Sequence, residues 1–150
     1  MKTPSTRRRA ARQHGATVVE FAIVVALFLM LLLGMMEMGR MLYYWNAAVE
    51  ATRLGARVAA VCDVNDSAIK TRMQGILDLL PTAQIDVAYK PAGCNLNTCT
   101  SVTVSVLAGT AVATYIPFVP LALTLPAFST TLPRESMRSD IDGIANPVCD

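Results

Sequence analysis

The chain has 150 residues, 53% hydrophobic and 16% charged, with its apolar excess largely in one segment, which bounds it to one membrane helix and one small domain. Its net charge of +2 hides an asymmetry: residues 1 to 15 hold five of the 13 Lys/Arg and none of the 11 Asp/Glu, leaving eight basic against eleven acidic side chains beyond them. A basic cluster confined to a terminal head, ahead of an acidic remainder, argues against nucleic acid as a partner.

Lys2, Arg7, Arg8, Arg9, Arg12 and His14 sit among small and polar residues and form a basic leader, expected to be disordered in the cytoplasm. From Ala16 to Met36 there are 21 residues with one charge, Glu20. At about 1.5 Å of rise per residue, a helix of that length spans roughly 31 Å, close to the hydrocarbon thickness of a bilayer. Five Lys/Arg before the run, against Arg40 alone just after it, place the N-terminus in the cytoplasm and export the residues beyond the helix. Tyr43, Tyr44 and Trp45 then fit an outer interfacial belt. A carboxylate within a membrane segment costs about 2.5 to 3.5 kcal/mol at the centre and less near the end, so Glu20 should have a partner. A cut between Gly15 and Ala16 would supply one, because the new α-amine lies four residues away. The alternative is an uncut anchor with Glu20 near the headgroups.

No proline interrupts this helix before Pro81, and it is expected to run to about Ala60. Ala22 and Ala26 form a small-xxx-small pair that lets a neighbouring helix approach. Gly34 and Gly39 each cost up to about 1 kcal/mol relative to alanine, and mark either close packing or a place to bend. Glu37 and Arg40, three apart, can pair. Beyond them Met41, Tyr44, Ala48, Ala51, Gly55 and Val58 share one stripe, and Asn46, Glu50, Arg53 and Arg57 the other, so the apolar stripe should carry the globular domain.

Asp63 to Asp66 reads as a turn, with Asn65 or Asp66 capping a second helix from about Ser67 to Leu80, stopped by Pro81. Ile69, Met73, Ile76, Leu77 and Leu80 mark its buried face. Ile85, Val87 and Tyr89 alternate with Asp86 and Ala88, and Val102, Val104 and Val106 alternate with Thr103 and Ser105, which reads as an antiparallel hairpin. Pro91 to Pro133 is a stretch of 43 residues without a formal charge. Within it, Ala111 to Phe128 is apolar enough to suggest a second span, but Pro117, Pro120 and Pro126 weigh against a helix. The expectation is an apolar loop packed on the sheet or docked on a partner. A last strand is expected around Ala127 to Met137, with Pro133 at an edge or bulge, and an irregular tail from Ser139 to Asp150.

The four cysteines, Cys62, Cys94, Cys99 and Cys149, all lie on the side expected to be exported, where an even count suggests two disulfides with three connectivities possible. Cys94 and Cys99 bracket the loop between two strand-like runs, which favours a bridge at the hairpin tip and leaves Cys62 for Cys149. No metal or other cofactor is expected: the single His lies in the leader, Cys94 and Cys99 have no second matching pair, and no C-x-x-C occurs.

Gly15 followed by four residues and Glu20-Phe21, behind a short basic leader, resembles the prepilin peptidase site of type IV pilins and pseudopilins. The resemblance implies cleavage after Gly15, with Ala16 as the new N-terminus, and roles for Glu20 and Phe21 in subunit registration and assembly. Within that family the likeness is to the TadE-like minor pseudopilins of the Tad (Flp) pilus system. It is carried by Gly15-Ala16 through Val24, by Glu37-Met38-Gly39-Arg40, by Ala51-Thr52-Arg53-Leu54-Gly55-Ala56-Arg57, and more weakly by Tyr115-Ile116-Pro117-Phe118. Ala16 departs from the phenylalanine usual in major type IV pilins.

The expected fold class is therefore α+β: a long pilin-like N-terminal transmembrane helix, then a small helix and a small antiparallel β-sheet, stapled by disulfides. Residues 1–15 form the leader, 16–62 the helix, transmembrane to about 36, and 63–150 the exported domain. The resemblance implies a structural protein of pilus assembly in the bacterial inner membrane, with a prepilin peptidase and other Tad pilins as partners. An uncleaved single-pass scaffold or binding protein is the alternative. An enzyme is not expected, because no nucleophile motif, phosphate loop or His beyond the leader is present.

Overall fold

The computed structural model describes residues 14–114 and 123–149. Its first element, α1, runs from His14 to Val61, 48 residues without a proline. The helix continues through Gly34 and Gly39, and nothing described lies within 4 Å of where a β-carbon on either would stand. The close packing considered for these glycines is therefore not made among the described residues. Up to Met36 nearly every side chain is exposed, with Phe21 and Met30 both at 70%. Beyond it the expected division holds: Met41, Ala48, Ala51, Gly55 and Val58 are buried, while Asn46, Glu50, Arg53 and Arg57 are exposed.

The buried stripe is made of small residues for a reason. Ala47, Ala48, Ala51, Thr52, Ala56, Ala59 and Ala60 leave the helix surface nearly smooth, so other elements approach its backbone closely. One of these is α2, Ser67–Ile76. Asp66 caps it by accepting from the Ala68 N–H at 2.9 Å, while Asn65 takes a left-handed φ of 63° in the preceding turn. The helix ends four residues before the expected Leu80. A proline disfavours helical backbone at the residue before it, here Leu80. Unwinding after Ile76 also turns both Leu77 and Leu80 into the core, with Leu80 N–H bonded to Leu77 O and the Gln74 amide donating to Leu80 O.

A single 3-10 turn, Thr82–Gln84, leads to the strands. These are β1 (Ile85–Lys90), β2 (Ser101–Val106), β3 (Ala111–Val112), β4 (Leu123–Thr124), β5 (Phe128–Pro133), β6 (Asp140–Ile141) and β7 (Ile144–Ala145). The main sheet is antiparallel in the order β1-β2-β5. Central β2 sets Val102, Val104 and Val106 opposite Tyr89, Val87 and Ile85 on one side and Leu132, Thr130 and Phe128 on the other. Those three valines are fully buried in the core that includes the stripe of α1. Each contributes about 1.5 to 3 kcal/mol of transfer free energy. A polar contact between helix and sheet is satisfied locally: Thr52 donates to Val49 O at 2.7 Å and lies 3.1 Å from the Thr130 hydroxyl.

The last strand is shorter than the span 127 to 137 suggests. It stops at Pro133, on the sheet edge, and the chain then crosses to the end of α1. There Glu135 N–H donates to Ala60 O, and Arg138 N–H and the Ser136 hydroxyl to Val61 O. Orphan carbonyls of a helix C-terminus are thus capped from 75 residues away. The tail expected to be irregular contains the β6-β7 hairpin, turned by Asp142 and Gly143, both at positive φ. Part of the uncharged stretch is likewise ordered, since β3 pairs with β4 and Val112 and Leu125 join the core. Tyr115-Ile116-Pro117-Phe118, Pro120, Asp150 and residues 1–13 lie outside the described residues.

Two disulfides close the structure. Cys94 and Cys99 bridge the loop between β1 and β2, with Cα atoms 5.0 Å apart, and Cys62 and Cys149 join the end of α1 to the tail at 5.6 Å. Chain entropy gives about 2 kcal/mol for the short loop and about 4.5 for the long one. Beside the longer bridge, the Ser139 hydroxyl donates to Asp66 while its oxygen accepts from the Asp63 N–H, and Ser139 N–H donates back to the Asp63 carboxylate.

Candidate functional site on the N-terminal helix

The residues singled out by sequence lie together at the start of α1. The described residues are helical from His14 onward, so the Gly15–Ala16 bond lies within helical backbone. Gly15, Ala16, Glu20 and Phe21 are all exposed, and no ion pair or side-chain hydrogen bond within the described residues involves Glu20.

At 100° per residue, Ala16, Glu20, Ile23, Leu27, Gly34, Met38, Met41 and Trp45 fall on one narrow stripe. Glu20 and Gly34 are then separated along it by about 21 Å. The upper end of the stripe forms one wall of a groove of about 390 Å³ whose other wall is Leu123 and Thr124 of β4. Glu37 lines it as well and is paired with Arg40. Both oxygens of Glu37 accept from Arg40 Nη1, at 2.9 and 3.0 Å, while Arg40 Nη2 donates to Ala113 O at 3.1 Å. The guanidinium also lies 5.8 Å from the centre of the Tyr44 ring, and Tyr43 meets Tyr44 edge to face. The sequence indicated the pairing of Glu37 with Arg40 but not its third partner, since nothing in local spacing points 73 residues ahead.

A second groove, of about 480 Å³, opens between the start of α2 and β1, beside Asp66, Lys70 and Asp86. Its best placed carboxylate is already committed, because Asp66 holds the Ala68 N–H and the Ser139 hydroxyl. Cys62, Cys149 and Asp66 converge closely enough to suggest a metal, but the two sulfurs are bonded to each other and are not thiolate ligands. Tyr89 closes the region, its hydroxyl accepting from the Asn65 N–H at 3.0 Å. Burial raises the Tyr89 pKa above the ordinary tyrosine value, the Asn65 hydrogen bond opposes the rise, and the Asp66 charge adds to it.

By length and hydropathy α1 is able to cross a membrane. Searches of curated proteins and of solved structures found no match. Residues 15–57 match the model of the TadE-like protein family, so the similarity lies in α1, the helix that carries Gly15, Ala16, Glu20 and Phe21.

Proposed function

We propose that this chain is a structural minor pilin or pseudopilin of Tad (Flp) pilus assembly, held in the bacterial inner membrane by α1. The N-terminus faces the cytoplasm and residues 63–150 the periplasm. A prepilin peptidase cuts between Gly15 and Ala16, and the shortened helix joins those of other Tad pilins. Chemistry is done on this chain rather than by it. The observation that carries the reading is that the TadE-like match begins at Gly15, the residue before the proposed cut, and follows α1 onto its buried stripe.

The physical logic runs through Glu20. Cleavage removes the five Lys/Arg of the leader, whose mutual repulsion opposes packing of parallel helices. It also creates an α-amine one turn from Glu20 on the same stripe, able to neutralise the acid in its own chain or a neighbour.

One observation favours an uncut membrane scaffold as a second reading: the Gly15–Ala16 bond lies inside α1, and helical backbone must unwind before it is cut. Two variants separate the readings. Gly15→Leu is expected to block shortening of the chain, and Glu20→Gln to leave shortening intact while reducing assembly. Unchanged length and unchanged pilus production in both would favour the scaffold.

A further inference from the structure

The β3-β4 hairpin stands where the apolar run of α1 ends. Leu123 and Thr124 share a groove with Gly34, two residues inside that run, and with Trp45, nine residues past it. The hydrogen bond from Arg40 to Ala113 O fixes the hairpin at that height. No charged residue occurs from Pro91 to Pro133, so this part of the chain brings no charge to that level. The two charges that α1 does place there are paired, with Glu37 and Arg40 joined through both carboxylate oxygens. Met38, Met41 and Leu123 make the groove apolar, and the Trp45 ring, 40% exposed, stands at its upper rim.

We propose that this groove is a lipid site: the paired strands β3 and β4 stand at the outer surface of the bilayer, and a phospholipid fills the space between Leu123 and the Gly34-to-Trp45 face of α1. The inference rests on α1 spanning a membrane, and adds that the folded part of the chain touches the bilayer through a second element. Its height favours lipid as the occupant. Its lower end, at Gly34, reaches two residues into the apolar run, and the rest, from Glu37 to Trp45, lies at the level of the headgroups, where indole rings are enriched. A phospholipid has the same order, with acyl chain below and polar head above. The hairpin would then fix the tilt and rotation of the folded part over the membrane, which a single helix leaves free.

The test uses the full chain in phospholipid vesicles at high lipid excess, with Trp45→Phe as background and one tryptophan reintroduced at a time. Quenching is read with phosphocholine carrying a nitroxide on the headgroup or bromine on the acyl chain. Phe28→Trp reports the middle of the run, Thr103→Trp the outer face of the sheet, and Leu123→Trp the groove. The proposal expects bromine to quench Phe28→Trp, the headgroup nitroxide to quench Leu123→Trp strongly, and neither to reach Thr103→Trp. Leu123→Trp as unquenched as Thr103→Trp, with Phe28→Trp quenched, overturns the lipid site and leaves the membrane helix standing. That same result is expected if a second copy fills the groove. No quenching of Phe28→Trp overturns both. The unsubstituted chain gives an independent reading, because Trp45 is its only tryptophan and should itself be quenched by the headgroup nitroxide.

Discussion

Gly55 on α1 meets Met73 on α2 so closely that a β-carbon has no place between them: built on Gly55, it would stand 2.5 Å from Met73 Sδ and 3.1 Å from a Val104 methyl. The folded part of the chain therefore converges on a helix position without a side chain. Gly55→Val should destabilise the fold by about 1 to 3 kcal/mol through overpacking. Gly75→Ala, where nothing lies within 4 Å, should instead stabilise it by up to about 1 kcal/mol. Thermal melts of the two variants in one detergent check the opposite signs.

Arg40 joins the helix to the hairpin. Arg40→Ala removes the bond to Ala113 O and leaves Glu37 without this cation. Being partly exposed, the pair should contribute no more than about 1 kcal/mol. The expected effect is local: faster amide exchange at Ala111 and Val112, with exchange in α2 unchanged. Equal acceleration in both places would mean that Arg40 supports the whole fold rather than the hairpin.

Tyr89 predicts an alkaline weakness. Its pKa is raised in the folded chain, chiefly by burial, so its contribution is fully present below the unfolded value of about 10 and is lost as pH rises through the folded value. Stability should fall above pH about 10 more steeply in the unmodified chain than in Tyr89→Phe. Near neutral pH the variant should be less stable by about 1 kcal/mol, because the Asn65 N–H loses its acceptor. Denaturant midpoints at both pH values measure the two effects.

The two disulfides should differ in weight. Replacing Cys62 and Cys149 together by serine opens the longer loop and should cost about 4.5 kcal/mol, against about 2 for Cys94 and Cys99. Loss of the first pair should also free the tail around β6 and β7, raising proteolysis near Ile141 and Ile144. Equal losses of stability would show that loop length does not govern the contribution of these bridges.

Much of this architecture was legible because it follows from period and length. The stripe from Met41 to Val58, the alternation of Ile85, Val87 and Tyr89, and the valines of β2 each repeat at the spacing of the element they form. The β6-β7 hairpin, in the tail expected to be irregular, also carries a local sign, because Asp142-Gly143 between Ile141 and Ile144 is a strong hairpin signal. Other features had no local sign. The capping of α1 by residues 135–138 and the reach of Arg40 to Ala113 depend on how distant segments meet. The early end of α2 reflects competition between helix propensity and the burial of Leu77 and Leu80, and burial won. Gly15, Ala16, Glu20 and Phe21 stood out as a pattern of residue types, while the groove above them required the fold.

The central claim is that a protease facing the cytoplasm trims the chain before it assembles. Mass spectrometry of the membrane-extracted, non-reduced protein from its native host tests this most directly. The account predicts a chain beginning at Ala16 with all four cysteines oxidised. A chain that still carries Met1 to Gly15 in the assembled pilus fraction would contradict it.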